Sequence, residues 1–163
     1  MYMMIDVETD GLQGEAFAVG YVIFLPNGNT LSEDMRWVKT ELTDPWCKEH
    51  IPCMDPAKQL ENHQQLRAWF VKRYLKHKPQ YVCADHIYPC ESNFLALVSK
   101  EHNQIFYPLI DTFAVCESIK LHTDLIPFDS PRNDLEVPRH NPLCDARQSV
   151  RQYLYYLDLL RKF

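Results

Sequence analysis

No Cys-x-x-Cys pair occurs among the six cysteines of this 163-residue chain, which stand dispersed at 47, 53, 83, 90, 116 and 144. That spacing argues against a zinc site and against a secreted disulfide framework, and it predicts free thiols in a reducing cytoplasm. No uninterrupted apolar run approaches the ~20 residues that a membrane span needs. No basic stretch followed by an apolar one stands at the N-terminus, so neither a membrane location nor an export signal is expected. Positive charge is not in excess either: 17 Lys and Arg against 22 Asp and Glu leave a net charge of -5. This argues against non-specific coating of nucleic acid, but not against a nucleic-acid enzyme, because a bound metal can supply positive charge locally. Repeats and low-complexity segments are lacking. With 46% hydrophobic and 24% charged residues, the chain reads as one globular domain over 1–163.

The order of the elements carries more. Residues 2–8 and 15–25 read as strands, and "PNGN" at 26–29 is a hairpin turn leading to a third strand over about 30–39. Residues 44–56 read as turn-rich and irregular. Leu66, Trp69, Phe70 and Tyr74 recur at helical spacing and predict a helix from Ala57 to about His77. Beyond Pro79 the pattern predicts a strand at 80–84, a helix from about Pro89 to Lys100, and a fifth strand at 105–111 with a short helix after it. The prolines between 121 and 139 predict a long loop. Asn141 and Pro142 then make an N-cap and first helical position for a final helix. Three leading strands followed by alternating helix and strand predict an α/β fold with a mixed five-stranded sheet flanked by helices. Reactive groups in such sheets gather at the carboxyl ends of central strands.

Two acids stand out in the first strand, "MMIDVETDGL" at 3–12. Asp6 and Glu8 share one face, because alternate strand residues do. Burying one ionised carboxylate costs several kcal/mol, and a like-charged neighbour raises that cost. A solvated acidic face on an edge strand would avoid the conflict. So would a divalent cation, since hard oxygen ligands at short spacing suit Mg²⁺ or Mn²⁺. At the other end of the chain, His140 precedes the last helix and Asp145 lies in its first turns, with the spacing H-x-x-x-x-D. The helix dipole favours an acid there on its own account. A histidine beside a metal cluster can also take a proton from water at neutral pH.

"DVETDGL" at 6–12 resembles the first motif, D-x-E-T-x-G, of the DEDDh family of 3'–5' exonucleases in the ribonuclease-H-like superfamily. "HNPLCDARQSV" at 140–150 resembles that family's third motif, H-x-x-x-x-D-A, and the two lie at opposite ends of a chain of suitable length. The resemblance implies a ribonuclease-H-like fold with Asp6, Glu8 and Asp145 as ligands of two Mg²⁺ or Mn²⁺ ions and His140 as the general base. It also implies that Thr9, Gly11 and Leu12 meet the terminal nucleotide, with His140 at the substrate. The second motif departs from the family. Register from the following helix, "ESNFL", places Glu91 at the acidic position, whereas register from the strand end favours Asp85. Both remain candidates for the remaining metal ligand. Asp111 at the end of the fifth strand is placed to approach the same region, but reads more readily as an N-cap for the helix that follows. Phe128, Arg132 and Arg139 read as loop residues with the chemistry to contact a phosphate backbone.

The activity implied is metal-dependent hydrolysis from the 3' end of single-stranded DNA or RNA, releasing nucleoside 5'-monophosphates by a two-metal mechanism. Two other readings stand beside it: a catalytically silent module that binds nucleic-acid ends or a protein, and a phosphoesterase for small nucleotides. The family contains monomers and homodimers, and nothing in the sequence chooses between them, or between DNA and RNA.

Overall fold

The computed structural model describes residues 1–120 and 132–161. Phe128 lies outside the described residues. Three strands lead, β1 (Tyr2–Thr9), β2 (Ala16–Phe24) and β3 (Thr30–Val38), and form an antiparallel meander. Then come α1 (Pro45–His50), β4 (Gln59–Leu60), α2 (His63–His77), β5 (Tyr81–Ala84), α3 (Ser92–His102), β6 (Leu109–Asp111), α4 (Thr112–Lys120) and α5 (Pro142–Leu160). The sheet order is β4-β3-β2-β1-β5-β6, with β5 parallel to β1 and β6 parallel to β5. This is the mixed sheet flanked by helices that the element order predicts.

The sheet has six strands rather than five. Gln59 and Leu60 pair with Trp37 and Val38, so a two-residue strand extends the edge beyond β3. A segment that short carries no periodicity to read. For the same reason α2 starts later than its apolar spacing suggests: Asn62 caps it, accepting the Gln65 N–H at 2.9 Å, and the residues from Pro56 to Leu60 are committed elsewhere. The stretch 44–56 is also less irregular than its prolines suggest. Asp44 accepts the Cys47 N–H at 3.0 Å and Pro45 sits at the first position of α1, a helix start made of the two residues best suited to it. The predicted fifth strand shortens to Leu109–Asp111.

β1 is covered on both faces. Met3, Ile5 and Val7 pack with Leu66, Phe70, Phe94 and Val98 from α2 and α3. Met4 packs with Val22, Phe24 and Cys83 against Ala146, Val150 and Tyr153 of α5. Odd positions of β1 thus face α2 and α3, and even positions, Asp6 and Glu8 among them, face α5. An edge strand with a solvated acidic face is therefore not what the acids occupy: β1 has β2 on one side and β5 on the other.

The approach of α5 depends on Gly20, the cross-strand partner of Asp6. A Cβ built on Gly20 would lie 2.3 Å from the carbonyl carbon of Pro142 and 2.5 Å from the nitrogen of Leu143. These are backbone atoms of the first turn of α5, with nowhere to go. Residues directly opposite each other across antiparallel strands share a face. The missing side chain is what lets the start of α5 lie against the sheet beside Asp6.

Gly20→Ala is expected to lower stability by about 3 kcal/mol, a fall in Tm of roughly 10 °C. The check is thermal unfolding followed by circular dichroism. An unchanged Tm would show that α5 does not bear on Gly20.

Candidate active site

Four chain segments bring carboxylates to one place. β1 contributes Asp6 and Glu8, and the first turn of α5 contributes Asp145. The parallel register pairs Ile5 with Ala84, so Asp85, the next residue, stands beside Asp6 beyond the end of β5. Glu91 closes an irregular turn, Ile87–Glu91, and its Oε1 accepts the Val7 N–H at 3.3 Å. Asp6, Glu8, Asp85 and Asp145 line one cavity of about 340 Å³ together with Arg132, Arg139, His140 and Ser149. Among the described residues, Glu8, His140 and Asp145 each offer a ligand atom within 4.8 Å of the others.

The electrostatics follow from this crowding. Burial, then repulsion from Glu8, Asp145, Glu91 and Asp85, pushes the Asp6 carboxyl well above the ordinary range. Burial and the charge of Asp145 push Glu8 up to about 8, against the opposing pull of Arg132. Burial pushes Glu91 up to about 8 as well, opposed by backbone N–H groups including that of Val7, with Glu8 and Asp85 adding to the rise. Asp85 rises to about 6, again chiefly through burial. Both residues that compete for the second motif therefore join the acid group. They differ in setting. Asp85 opens onto the cavity and its Oδ1 is buried without a hydrogen-bond partner among the described residues, whereas one oxygen of Glu91 is taken by β1.

His140 is placed by its own backbone. It adopts a left-handed conformation with φ 58°, and its N–H donates to Asp145 Oδ2 at 2.8 Å. Burial holds the imidazole below its ordinary value; Asp145 pulls the other way, and Arg132, Arg139 and His50 reinforce the lowering. This favours the neutral ring, the form able to accept a proton. Its neighbours come from the turn-rich stretch 44–56. The Trp46 ring meets His140 edge-to-face at 4.8 Å and stacks on His50 at 4.4 Å. The Asp-Pro pair at 44–45 is the signal that could have found this helix and so Trp46.

A second cavity of about 380 Å³ adjoins the first and shares Glu8 and His140 with it. Thr9, Gly11 and Leu12 line it, together with Trp46, Cys47 and Cys90. Its floor is held from both sides. Thr9 Oγ1 donates to the Gly11 carbonyl at 2.7 Å, and the Gly11 N–H donates to Cys47 Sγ at 3.2 Å. Gly11 has φ +74°, a conformation costly for other residues. Asp10 ties this turn to α1 by accepting the N–H groups of Thr43 and Asp44 at 2.8 and 2.9 Å. Leu12 and Trp46 remain 69% and 50% exposed.

Asp111 does not line the cavity, although its charge adds to the rise of Asp85. Its Oδ1 accepts the Ala114 N–H at 2.9 Å, the capping role its position suggests. Arg132 reaches further into the site than a loop residue would: its Nη1 donates to Asp145 Oδ1. None of the six cysteines is in a disulfide, and among the described residues no helix is long and apolar enough to cross a membrane.

No family model matches the chain, and no curated protein matches it. Among solved structures, a likeness extends to Exonuclease X in complex with 5' overhanging duplex DNA, at 16% identity and a TM-score of 0.49, over 98% of this chain and 92% of that one.

A carboxyl whose folded pKa lies above its unfolded value holds its proton more tightly in the folded chain. It favours the fold at low pH and ceases to do so as pH rises past the folded value. The metal-free protein is therefore expected to lose thermal stability as pH rises from the ordinary glutamate value of 4.5 through about 8. A Tm fall on the order of 5 °C is expected, and excess Mn²⁺ should remove most of it. A Tm that stays level or rises over that range would show that the acids are not crowded as described.

Proposed function

We propose that this chain is a metal-dependent nuclease that hydrolyses the terminal phosphodiester bond at a 3' end and releases nucleoside 5'-monophosphates. The observation that carries the reading is the convergence of Asp6, Glu8, Asp85, Glu91 and Asp145 beside His140, with a buried Asp85 oxygen that lacks a partner among the described residues. Carboxylate oxygens in this number have no structural reason to meet, and their donor chemistry fits a hard divalent cation such as Mg²⁺ or Mn²⁺. Asp6, Glu8 and Asp145 would hold the ions, with Asp85 and Glu91 completing the shell from the β5 side. Two bound ions would supply a lower pKa for the attacking water and neutralise charge at the scissile phosphate.

The chain's own residues do the rest. His140 takes the proton of the attacking water as its oxygen bonds to phosphorus and the bond to the 3'-oxygen breaks. Since His140 and Glu8 line both cavities, a nucleoside in the pocket of Thr9, Gly11 and Leu12 presents its 5'-phosphate to the acids. Leu12 and Trp46 are suited to hold a base between them, since any base offers an aromatic face. A pocket for one nucleoside favours a frayed or single-stranded end over paired duplex, and leaves DNA and RNA both as substrates. The free thiols accord with a cytoplasmic setting.

A binding module that does not cleave is the second reading, and the hold of Arg132 on Asp145 is the observation that favours it. Single-stranded DNA and RNA oligonucleotides, blocked at the 3' or the 5' end and incubated with Mg²⁺ or Mn²⁺, separate the two. Mononucleotides are expected from 5'-blocked strands and not from 3'-blocked ones. Asp6→Ala and Asp145→Asn are expected to reduce release to background. His140→Ala should slow it about 10²–10⁴-fold while leaving Mn²⁺ binding largely intact. Near-normal cleavage by purified Asp6→Ala would sink the assignment, and binding without cleavage under every condition would favour the module.

A further inference from the structure

Arg132 lines the acidic cavity, and the hydrolytic reading does not require its placement there. It is delivered there from a rigid base. Asn133 and Glu136 form a reciprocal capping box around the turn Asp134–Glu136. Glu136 is only 2% exposed, and Arg151 of α5 holds it with bonds of 2.6 and 2.8 Å. From this anchor Arg132 Nη1 donates to the Glu136 carbonyl at 2.6 Å and to Asp145 Oδ1. The other oxygen of Asp145 accepts the His140 N–H. The guanidinium charge also bears on Glu8 and Asp85. Its Nε is buried and has no hydrogen-bond partner among the described residues.

We propose that Arg132 is the resident counter-ion of the acidic cavity, pairing with Asp145 until a divalent cation displaces it, and then turning its guanidinium to the substrate phosphate. This rests on the metal reading of the site. The argument is one of charge and shape. Crowded carboxylates in a protein cavity need a cation, and within reach of Asp145 the chain offers a permanently charged one. A cation on Asp145 and the guanidinium on Asp145 compete for the same oxygen. The planar fork that suits a carboxylate suits a phosphate equally, so the displaced group has a second partner of the same geometry. The bond to the Glu136 carbonyl needs no change, and it keeps the side chain at the cavity wall. The unpartnered Nε is a donor that the carboxylate pairing leaves unused.

The test is calorimetric titration of Mn²⁺ into the metal-free protein, without nucleic acid, for the wild type, Arg132→Gln and Arg132→Lys. Arg132→Gln is expected to bind Mn²⁺ about tenfold more tightly than the wild type, because no cation must leave. Arg132→Lys, which keeps the charge but not the fork, should fall between them. With Mn²⁺ saturating, thymidine 5'-monophosphate should bind both variants more weakly than the wild type, by about tenfold for Arg132→Gln. If Arg132→Gln does not fold, the comparison of Arg132→Lys with the wild type decides. Mn²⁺ affinity no higher in either variant than in the wild type overturns the counter-ion role while leaving the metal site standing. Absence of Mn²⁺ binding in the wild type overturns both.

Discussion

The contact between Gly20 and the first turn of α5 is where the fold and the candidate site become one problem. Asp6 lies opposite Gly20, and Asp145 lies three residues beyond the Pro142 backbone that presses on that glycine. A side chain at position 20 would push the helix start outward and carry Asp145 and His140 with it. The helix cannot yield by sliding, because Ala146, Val150 and Tyr153 are locked against Met4, Val22, Phe24 and Cys83. One apolar interface therefore sets the distance between carboxylates that repel each other.

That repulsion is a standing cost in the folded chain. Like charges in a poorly hydrated cavity raise one another's pKa, and proton uptake is the cheapest relief when no cation is present. The fold tolerates the acids because the hydrophobic interfaces on both faces of β1 are extensive, and because Arg132 and the N–H groups of Val7 and His140 take up part of the charge. A cavity shaped in this way favours any species that brings positive charge. Stability given up at such a place is an ordinary sign of function.

What the sequence disclosed follows the range over which each signal acts. Asp6 and Glu8 were legible because strand alternation is local, and α5 because Asn141 and Pro142 begin it unmistakably. The cavity itself was legible only as an implication of two motifs at opposite ends of the chain. Asp85 and Glu91 could not be ranked, because the turn Ile87–Glu91 is irregular and its shape depends on what packs beneath it. Its outcome, with one acid facing the cavity and the other bonded to Val7, comes from tertiary contacts 84 residues apart in sequence. Trp46 was missed for a simpler reason. Prolines at 45, 52 and 56 mark the stretch as broken, and a six-residue helix is too short to show a period. The pairing of Arg132 with Asp145 had no local signature at all.

His140 joins the two halves of the site, and its backbone explains how. A left-handed residue immediately before the N-cap turns the chain sharply, so that the N–H meets Asp145 while the ring lies against Trp46. The left-handed conformation costs a non-glycine residue on the order of 1 kcal/mol. Offsetting it are the bond to Asp145 and the edge-to-face contact with an indole that is itself stacked on His50. Asparagine or glycine would adopt this turn more readily, yet neither offers a group that titrates near neutral pH. The histidine keeps this strained position while its ring is shared between the pocket of Thr9, Gly11 and Leu12 and the acidic cavity. Capping the helix would not require it, since Asn141 already does that by accepting the Leu143 N–H at 3.1 Å.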